Sequence, residues 1–367
     1  MTDQSRREFV QLSAVGALGL GLGGFDFRPR RTAPMDLLIL GGTGFIGPHQ
    51  VEYARSRGHR VTIFNRGKTA PEMFPNVEAL IGDRDGKLDA LLGRKWDAVI
   101  DNSGYVPRHV RDSAQLLKDN VGQYLFISTG GVYAAFYNSQ WPEGGVSEDS
   151  PREKLAEPGS EDVSKYYGPL KALCEDEVVA AFPRTATILR PGLIVGPGDP
   201  TDRFTYWVVR PAQGGEMLAP GTAKDPILYI DARDLGIFCV HLLETKTAGT
   251  YNVFGPRGTL TMGELLDEAL AATGRKATLK WVDGAVLEEH KVHPFGLFPW
   301  VWPGGSAAGA SHFQRERAFR AGMPFRPLKQ TVKDTLEWFR SEPAERQAKL
   351  RGGLPPEKER EILATVR

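Results

Sequence analysis

The stretch Leu37-Leu38-Ile39-Leu40-Gly41-Gly42-Thr43-Gly44-Phe45-Ile46-Gly47 constrains this chain more than any other. Four apolar residues predict a short buried strand. Glycines at 41, 44 and 47 then spell G-x-x-G-x-x-G before a helix opens. In such a strand–turn–helix the first glycine makes the tight turn. The second lets the backbone approach a pyrophosphate, and the third lets the helix pack close to the strand. Phosphates sit on the helix N-terminus, where free N–H groups and the helix dipole favour negative charge. Pro48 suits the first helical turn. The stretch therefore predicts a dinucleotide site made by Gly41, Thr43, Gly44, Phe45, Ile46 and Gly47. The competing reading is an ordinary strand–turn–helix corner.

From Asp36 onward, strands and helices alternate. Strands are predicted at Arg60–Phe64, Val77–Ile81, Trp96–Asp101, Tyr124–Ser128 and Thr185–Arg190, with helices at 45–57, Val106–Leu117 and Val163–Ala181. This is the rhythm of an α/β fold with a doubly wound parallel sheet. Ligands of such sheets bind beyond the carboxyl ends of the strands. Ile227–Ile230, the helix Ala232–Leu243 and Thr250–Phe254 read as a return to the sheet. Thr261–Ala272 reads as an amphipathic helix with Thr261 near its N-cap. The predicted division is a nucleotide-binding Rossmann domain at 35–198 and 225–257. A smaller C-terminal substrate lobe covers 199–224 and 258–345, and a charged helical tail at 346–367 is expected at the surface.

The start of the chain lies outside that fold. Ser5-Arg6-Arg7-Glu8-Phe9-Val10 precedes a weakly apolar, glycine-rich run from Leu12 to Phe25. The run is short for a bilayer span. It resembles a bacterial twin-arginine export signal over residues 1–34, which implies a periplasmic protein. A disordered basic N-terminus on a cytoplasmic protein is the alternative. No clear A-x-A site precedes Met35, so the segment could also stay attached as an anchor. Net charge is +1, which argues against a nucleic-acid surface. Cys174 and Cys239 fall in apolar helical patterns and read as buried, unpaired thiols. Glu288, Glu289, His290 and His293 have no spacing that closes a metal site, and no metal is expected.

Tyr167-Gly168-Pro169-Leu170-Lys171 gives Y-x-x-x-K near the start of a long helix, so both side chains share one face. A tyrosine titrates near ~10, and a neighbouring ammonium favours its phenolate. The pair can move a proton on or off a hydroxyl. Thr129 follows a strand, in Phe126-Ile127-Ser128-Thr129-Gly130-Gly131, and can donate a hydrogen bond to the same substrate oxygen.

The glycine fingerprint, Thr129 and the Tyr167/Lys171 pair, in this order, resemble the extended short-chain dehydrogenase/reductase superfamily. That group includes the NAD-dependent epimerases and dehydratases. The resemblance covers about residues 36–255. It implies that Thr129 and Tyr167 are catalytic and that Lys171 also binds the cofactor ribose. By the same resemblance Asp83 contacts adenine, Ser103 and Gly104 run along the cofactor, and Pro191, Gly192 and Leu193 lie beside the nicotinamide. Two departures matter. The second strand ends Phe64-Asn65-Arg66-Gly67, where NAD-preferring members carry an acid. Asn65 and Arg66 therefore point to NADP, with Arg66 available to a 2′-phosphate. NAD remains the alternative if Arg66 only lines the adenine face. Sugar 4,6-dehydratases carry Asp-Glu directly after the threonine, whereas this chain has Gly130-Gly131. Dehydration is disfavoured.

The resemblance implies an epimerase or oxidoreductase acting on a sugar or polyol-like hydroxyl. A cofactor held through a redox-neutral cycle would suit an exported enzyme. An ordinary NADPH-dependent reductase is one alternative. The Asn65-Arg66-Gly67 turn and the Tyr167–Glu175 stretch also resemble an atypical branch containing chloroplast RNA-binding proteins, which supplies a non-catalytic alternative. The balance of acids and bases argues against RNA. Tyr105, Arg203 and Tyr206 are candidate substrate contacts, and each could instead be a packed loop residue, as could Arg108 and His109. A homodimer is compatible with the sequence but not required by it.

Overall fold

The structure is a computed structural model that describes residues 32–293 and 295–366. The twin-arginine segment lies outside these residues. The central element is a seven-stranded sheet. Its strands are β1 (Asp36–Leu40), β2 (Arg60–Asn65), β3 (Glu78–Ile81), β4 (Trp96–Asp101), β5 (Val121–Ile127), β6 (Ala186–Pro191) and one later strand, Gly249–Val253. Every neighbouring pair runs parallel. The order from the outer edge is β3-β2-β1-β4-β5-β6 and then Gly249–Val253. The chain therefore reverses direction between β1 and β4, and such a switch point opens a crevice for ligands.

Successive strand residues face opposite sides of a sheet, and β1 obeys this rule. Leu37 and Ile39 pack with Val51 and Ala54 of helix α1 (Gly47–Ser56). Leu38 and Leu40 pack with Val110 and Leu117 of α2 (Pro107–Leu117), and with Cys174 and Val178 of α3 (Val163–Ala181). Both faces are covered, which is why Leu37, Leu38, Ile39 and Leu40 are all apolar. Cys174 and Cys239 are buried and unpaired.

A second core collects around Trp207, Trp300, Leu265 and Val332. It includes a parallel pair that the sequence pattern did not reveal, β7 (Gly215–Pro220) with Ala277–Val282. The expected strand Ile227–Ile230 does not join the main sheet. Only Ile230–Asp231 is a strand, and it pairs with Ile194–Val195. Pro226 has no N–H to give a ladder, and Ile227 and Tyr229 make single bridges to Trp300 and Gly255. The C-terminal segment also departs from a purely surface role. Glu359 and Ile362, on the closing helix Pro356–Leu363, are buried, and Glu359 pairs with Arg210 at 2.8 Å. Among the described residues, no helix is long and apolar enough to cross a membrane.

Candidate active site

The glycine turn joins β1 to α1. Gly41 has φ +89° and lies against Ser103, which follows β4. A Cβ on Gly47 would fall 2.5–2.8 Å from the backbone of Gly42 and Gly41, so only glycine lets α1 start this close to the turn. A Cβ on Gly44 would meet nothing within 4 Å. The turn is thus closed below and open above. The first turn of α1 has no side-chain cap, which leaves its N–H groups free. A pyrophosphate fits this cradle. Thr43 is buried, while Phe45 and Ile46 are half-buried beside it.

The other cofactor candidates stand along the same edge. Asn65 ends β2 and accepts the Gly67 N–H at 2.7 Å. This turn leaves Arg66 exposed, with no ion-pair or hydrogen-bond partner among the described residues. Asp83 follows β3 and accepts the Asp85 N–H at 3.1 Å. Pro191 ends β6, and Leu193 is buried just beyond it.

Thr129 follows β5 and accepts the Gly131 N–H at 3.1 Å. Its own proton is left for another oxygen. Tyr167 lies on α3, just after a kink. Asp162 caps the first turn through the N–H groups of Ser164 and Lys165, and Tyr166 leaves helical geometry (φ −121°). Pro169 cannot donate to the Lys165 carbonyl, so the regular helix effectively restarts near Tyr167. Tyr167 keeps 42% of its surface accessible, yet protein surrounds its hydroxyl. Burial pushes its pKa up to about 12, with Tyr105 adding to the rise and Thr129 and Arg203 opposing it.

Lys171 differs from the sequence expectation in what it touches. Its ammonium donates to Gly104 O at 2.7 Å and Ile127 O at 2.6 Å, and it lies 4.0 Å from the Phe126 ring centroid. It is held by backbone rather than turned to the phenol, and Tyr167 is raised, not lowered. Lys171 is only 2% exposed, and burial brings it down to about 8. A free lysine titrates near ~10.4. Between these values the unfolded chain binds the extra proton, so stability rises with pH. The cost is full below the folded value and gone above the unfolded one, roughly 3 kcal/mol in all. Urea midpoints from pH 7 to 10.5 should therefore show wild type gaining on Lys171→Met. A flat difference would mean that Lys171 folds without this penalty.

Tyr105 is 45% exposed, and its ring lies 6.3 Å from that of Tyr167. Arg203 is exposed, bonds Thr201 Oγ1 at 3.1 Å and acts on the Tyr167 phenol. Tyr206 is not beside it. The one-turn helix Thr205–Val209 is buried throughout, and the 3%-exposed Tyr206 ring packs on Trp207 and against Gly353. Arg108 and His109 are also committed elsewhere, Arg108 to Asp85 and Glu161 and His109 to Asp85. His290 pairs with Glu361 at 3.0 Å. Among the described residues no group of three His, Cys, Asp or Glu could hold a metal ion.

Three features escaped the sequence reading. Arg84 is buried under the Ser103 loop, paired with Asp101 and bonded to Ser113 at 2.5 Å. Asp101 in turn accepts the Tyr124 hydroxyl at 2.7 Å and the Ser103 N–H at 3.0 Å, which sets the loop. Gln50 on α1 exchanges hydrogen bonds of 3.0 and 2.6 Å with Asn102, pinning α1 to the mouth of β4. Tyr137 donates to Gly131 O at 3.2 Å and lies against Gly168, and the glycine after Tyr167 was the available hint of that close approach. The Gly130 departure also has a packing cause. A Cβ there would fall 2.7 Å from Phe254.

The model of the NAD dependent epimerase/dehydratase family matches residues 37–254. The 2-alkyl-3-oxoalkanoate reductase of Stenotrophomonas maltophilia is 28% identical over 265 residues, 65% of this chain and 76% of that one. Among solved structures, Bordetella bronchiseptica WbmH in complex with NAD+ aligns at TM-score 0.60 and 19% identity, over 85% of this chain and all of that one. The UDP-glucose 4-epimerase of Thermotoga maritima, solved with UDP-glucose, aligns at TM-score 0.60 and 17% identity, over 83% of this chain and 99% of its own. At these identities the structures speak for the fold, and the match across the sheet, glycine turn and Tyr-Lys helix assigns the family. The chain belongs to the NAD dependent epimerase/dehydratase family of enzymes.

Proposed function

We propose that this chain is an NAD(P)-dependent epimerase or oxidoreductase that acts on a carbinol carbon of a sugar or polyol-like substrate. The observation that carries this reading is Tyr167, whose ring is partly exposed and whose hydroxyl is flanked by the Thr129 hydroxyl, at the strand edge that also bears the glycine turn. The nicotinamide cofactor, when bound, supplies hydride acceptance and donation. Gly41, Thr43, Gly44, Phe45, Ile46 and Gly47 would hold its phosphates, and Lys171 its ribose. Thr129 donates its free proton to the substrate oxygen. Tyr167, raised to about 12, is protonated at neutral pH and so gives a proton to an oxygen that gains charge. The oxidative direction needs a cation near the phenol. Arg203 already acts in that sense, and Lys171 lies one helical turn away.

Tight retention of the nucleotide and net redox-neutral chemistry belong to the same reading. Support comes from the paired arginines of the N-terminal segment and from Gly130-Gly131 in place of dehydratase acids. An enzyme exported to the periplasm has no pool of reduced nicotinamide to draw on, whereas an epimerase renews its own. The test is purification from a periplasmic fraction, long dialysis and mass spectrometry of the bound nucleotide, followed by turnover of UDP-hexoses. A wholly cytoplasmic protein that loses its nucleotide would instead be an ordinary NADPH-dependent reductase. The 28%-identical reductase favours that second reading.

NADP is the proposed nucleotide, because Arg66 is exposed and unpaired among the described residues. Charged hydrogen bonds contribute about 1.5–3 kcal/mol. Arg66→Ala should weaken NADP binding roughly 10- to 100-fold and leave NAD nearly unchanged, as read by fluorescence titration. Equal affinity of wild type for both nucleotides would refute the preference.

A further inference from the structure

We propose that Arg84 and Asp101 are positioning residues for Lys171, a buried ion pair that fixes the loop anchoring its ammonium and sets how readily that ammonium gives up its proton. The inference rests on the nucleotide-site reading above, in which Lys171 would hold the cofactor ribose. Asp101 ends β4 and is wholly buried, and Arg84 is buried beside it. One Asp101 oxygen pairs with Arg84 and also accepts the Ser103 N–H at 3.0 Å. The next residue is Gly104, whose carbonyl accepts from Lys171 at 2.7 Å. A Cβ on Gly104 would fall 2.5 Å from the Phe126 ring and 2.7 Å from Val110. The loop is therefore pressed against the same ring that the ammonium faces. On its other side Arg84 donates to Ser113 Oγ at 2.5 Å and to His109 O at 3.2 Å, both on α2. A continuous path thus runs from α2 through Arg84, Asp101 and the Ser103–Gly104 loop to Lys171.

The charges of the pair do more than hold the loop. A buried ion pair is a weak stabiliser, since apolar groups of the same volume often do as well. Arg84 Nε also has no hydrogen-bond partner among the described residues, and a purely stabilising tie would satisfy it. Burial pulls the Lys171 pKa down, Cys174, Asp101 and Glu175 oppose the fall, and Arg84 adds to it. Cys174, pushed up to about 12, is uncharged near neutrality. Glu175, on α3 with Lys171, is spent on Arg190. The Phe126 and Tyr105 rings, 4.0 and 5.2 Å from the ammonium, complete its surroundings. An opposite charge favours an ammonium and a like charge disfavours it. The two members of the pair therefore act on Lys171 with opposite sign.

The competing role is a structural tie between β4 and α2, and single substitutions separate the two by sign. The Lys171 titration is read by NMR of isotope-labelled lysine, its signal identified by its absence from Lys171→Met. NADP affinity is followed in parallel by fluorescence titration from pH 6 to 10. Arg84→Met should raise the titration by roughly one pH unit, and Asp101→Asn should lower it by about as much. The pH at which NADP affinity falls should move with it, and Lys171→Met should lack that fall. Titrations that stay at the wild-type value, or move the same way in both variants, overturn the electrostatic role. If a lone buried charge keeps either variant from folding, Arg84→Met/Asp101→Asn decides. It removes both charges and should lower the titration, because Asp101 acts on the ammonium more strongly than Arg84. An unchanged value there overturns the proposal. Lysine titrations that shift while NADP affinity stays independent of pH would instead overturn the ribose role of Lys171.

Discussion

Replacing Tyr167 by phenylalanine should cut turnover by roughly 10²- to 10⁴-fold, the usual contribution of a positioned acid–base group. Nucleotide binding should persist, because Lys171 is held by Gly104 O and Ile127 O and not by Tyr167. The ring of Tyr167 is partly exposed beside Tyr105, so losing one hydroxyl leaves the packing of α3 intact. The variant is therefore expected to unfold at the wild-type urea concentration. Steady-state kinetics with bound nucleotide measured in parallel checks all three parts. Turnover within a few-fold of wild type would remove Tyr167 from the chemistry.

The largest effect on stability is expected from Glu175→Ala. Glu175 is buried on α3 and accepts two hydrogen bonds from Arg190, at 2.9 and 2.6 Å. It also accepts the Ser128 hydroxyl at 2.5 Å and an Arg152 N–H at 3.1 Å. The network ties α3 to β5 and β6, one helical turn beyond Lys171. Removing the carboxylate leaves the buried Arg190 with Tyr133 and a Glu148 carbonyl as its remaining partners, neither of them charged. Breaking such a buried pair from one side costs about 3–5 kcal/mol. Urea unfolding should show the loss, while Glu175→Gln, which keeps an acceptor, should lose less. An alanine variant as stable as wild type would mean that water satisfies the donors that Arg190 turned to Glu175.

Local pattern carried much of the fold. β1 reads as a strand because four apolar residues are buried on both faces. α3 was legible over Val163–Ala181 because its apolar pattern continues beyond the kink at Tyr166 to the Phe182 end. The glycine turn was legible because each of its glycines answers a local steric demand, and Gly47 answers it most severely. By contrast, β7 and its partner Ala277–Val282 lie far apart in the chain, and β7 lacks the alternation that Ala-Thr-Leu-Lys-Trp of its partner shows. Their pairing depends on contacts between distant residues. The expected strand at Ile227–Ile230 was divided among single bridges to Trp300 and Gly255, distant partners that the apolar pattern could not name.

The site divides in the same way. The sequence by itself determined the residue types of the nucleotide turn and the Thr129, Tyr167 and Lys171 series, because motif spacing survives without tertiary information. Only the tertiary structure decided what those groups touch. Lys171 spends its ammonium on two carbonyls brought by other elements, and Tyr167 is raised by burial that no spacing reveals. Tyr206 is one turn from Arg203 in the chain but faces the opposite way, since a short buried helix carries its ring into the lobe core. Asp202 is buried, with φ +57°, and is gripped by Arg346 and the Arg351 N–H of the C-terminal segment. Residues more than a hundred positions apart thus shape the loop that carries Arg203. Desolvation and long-range pairing are properties of the packed chain, and a linear pattern holds neither.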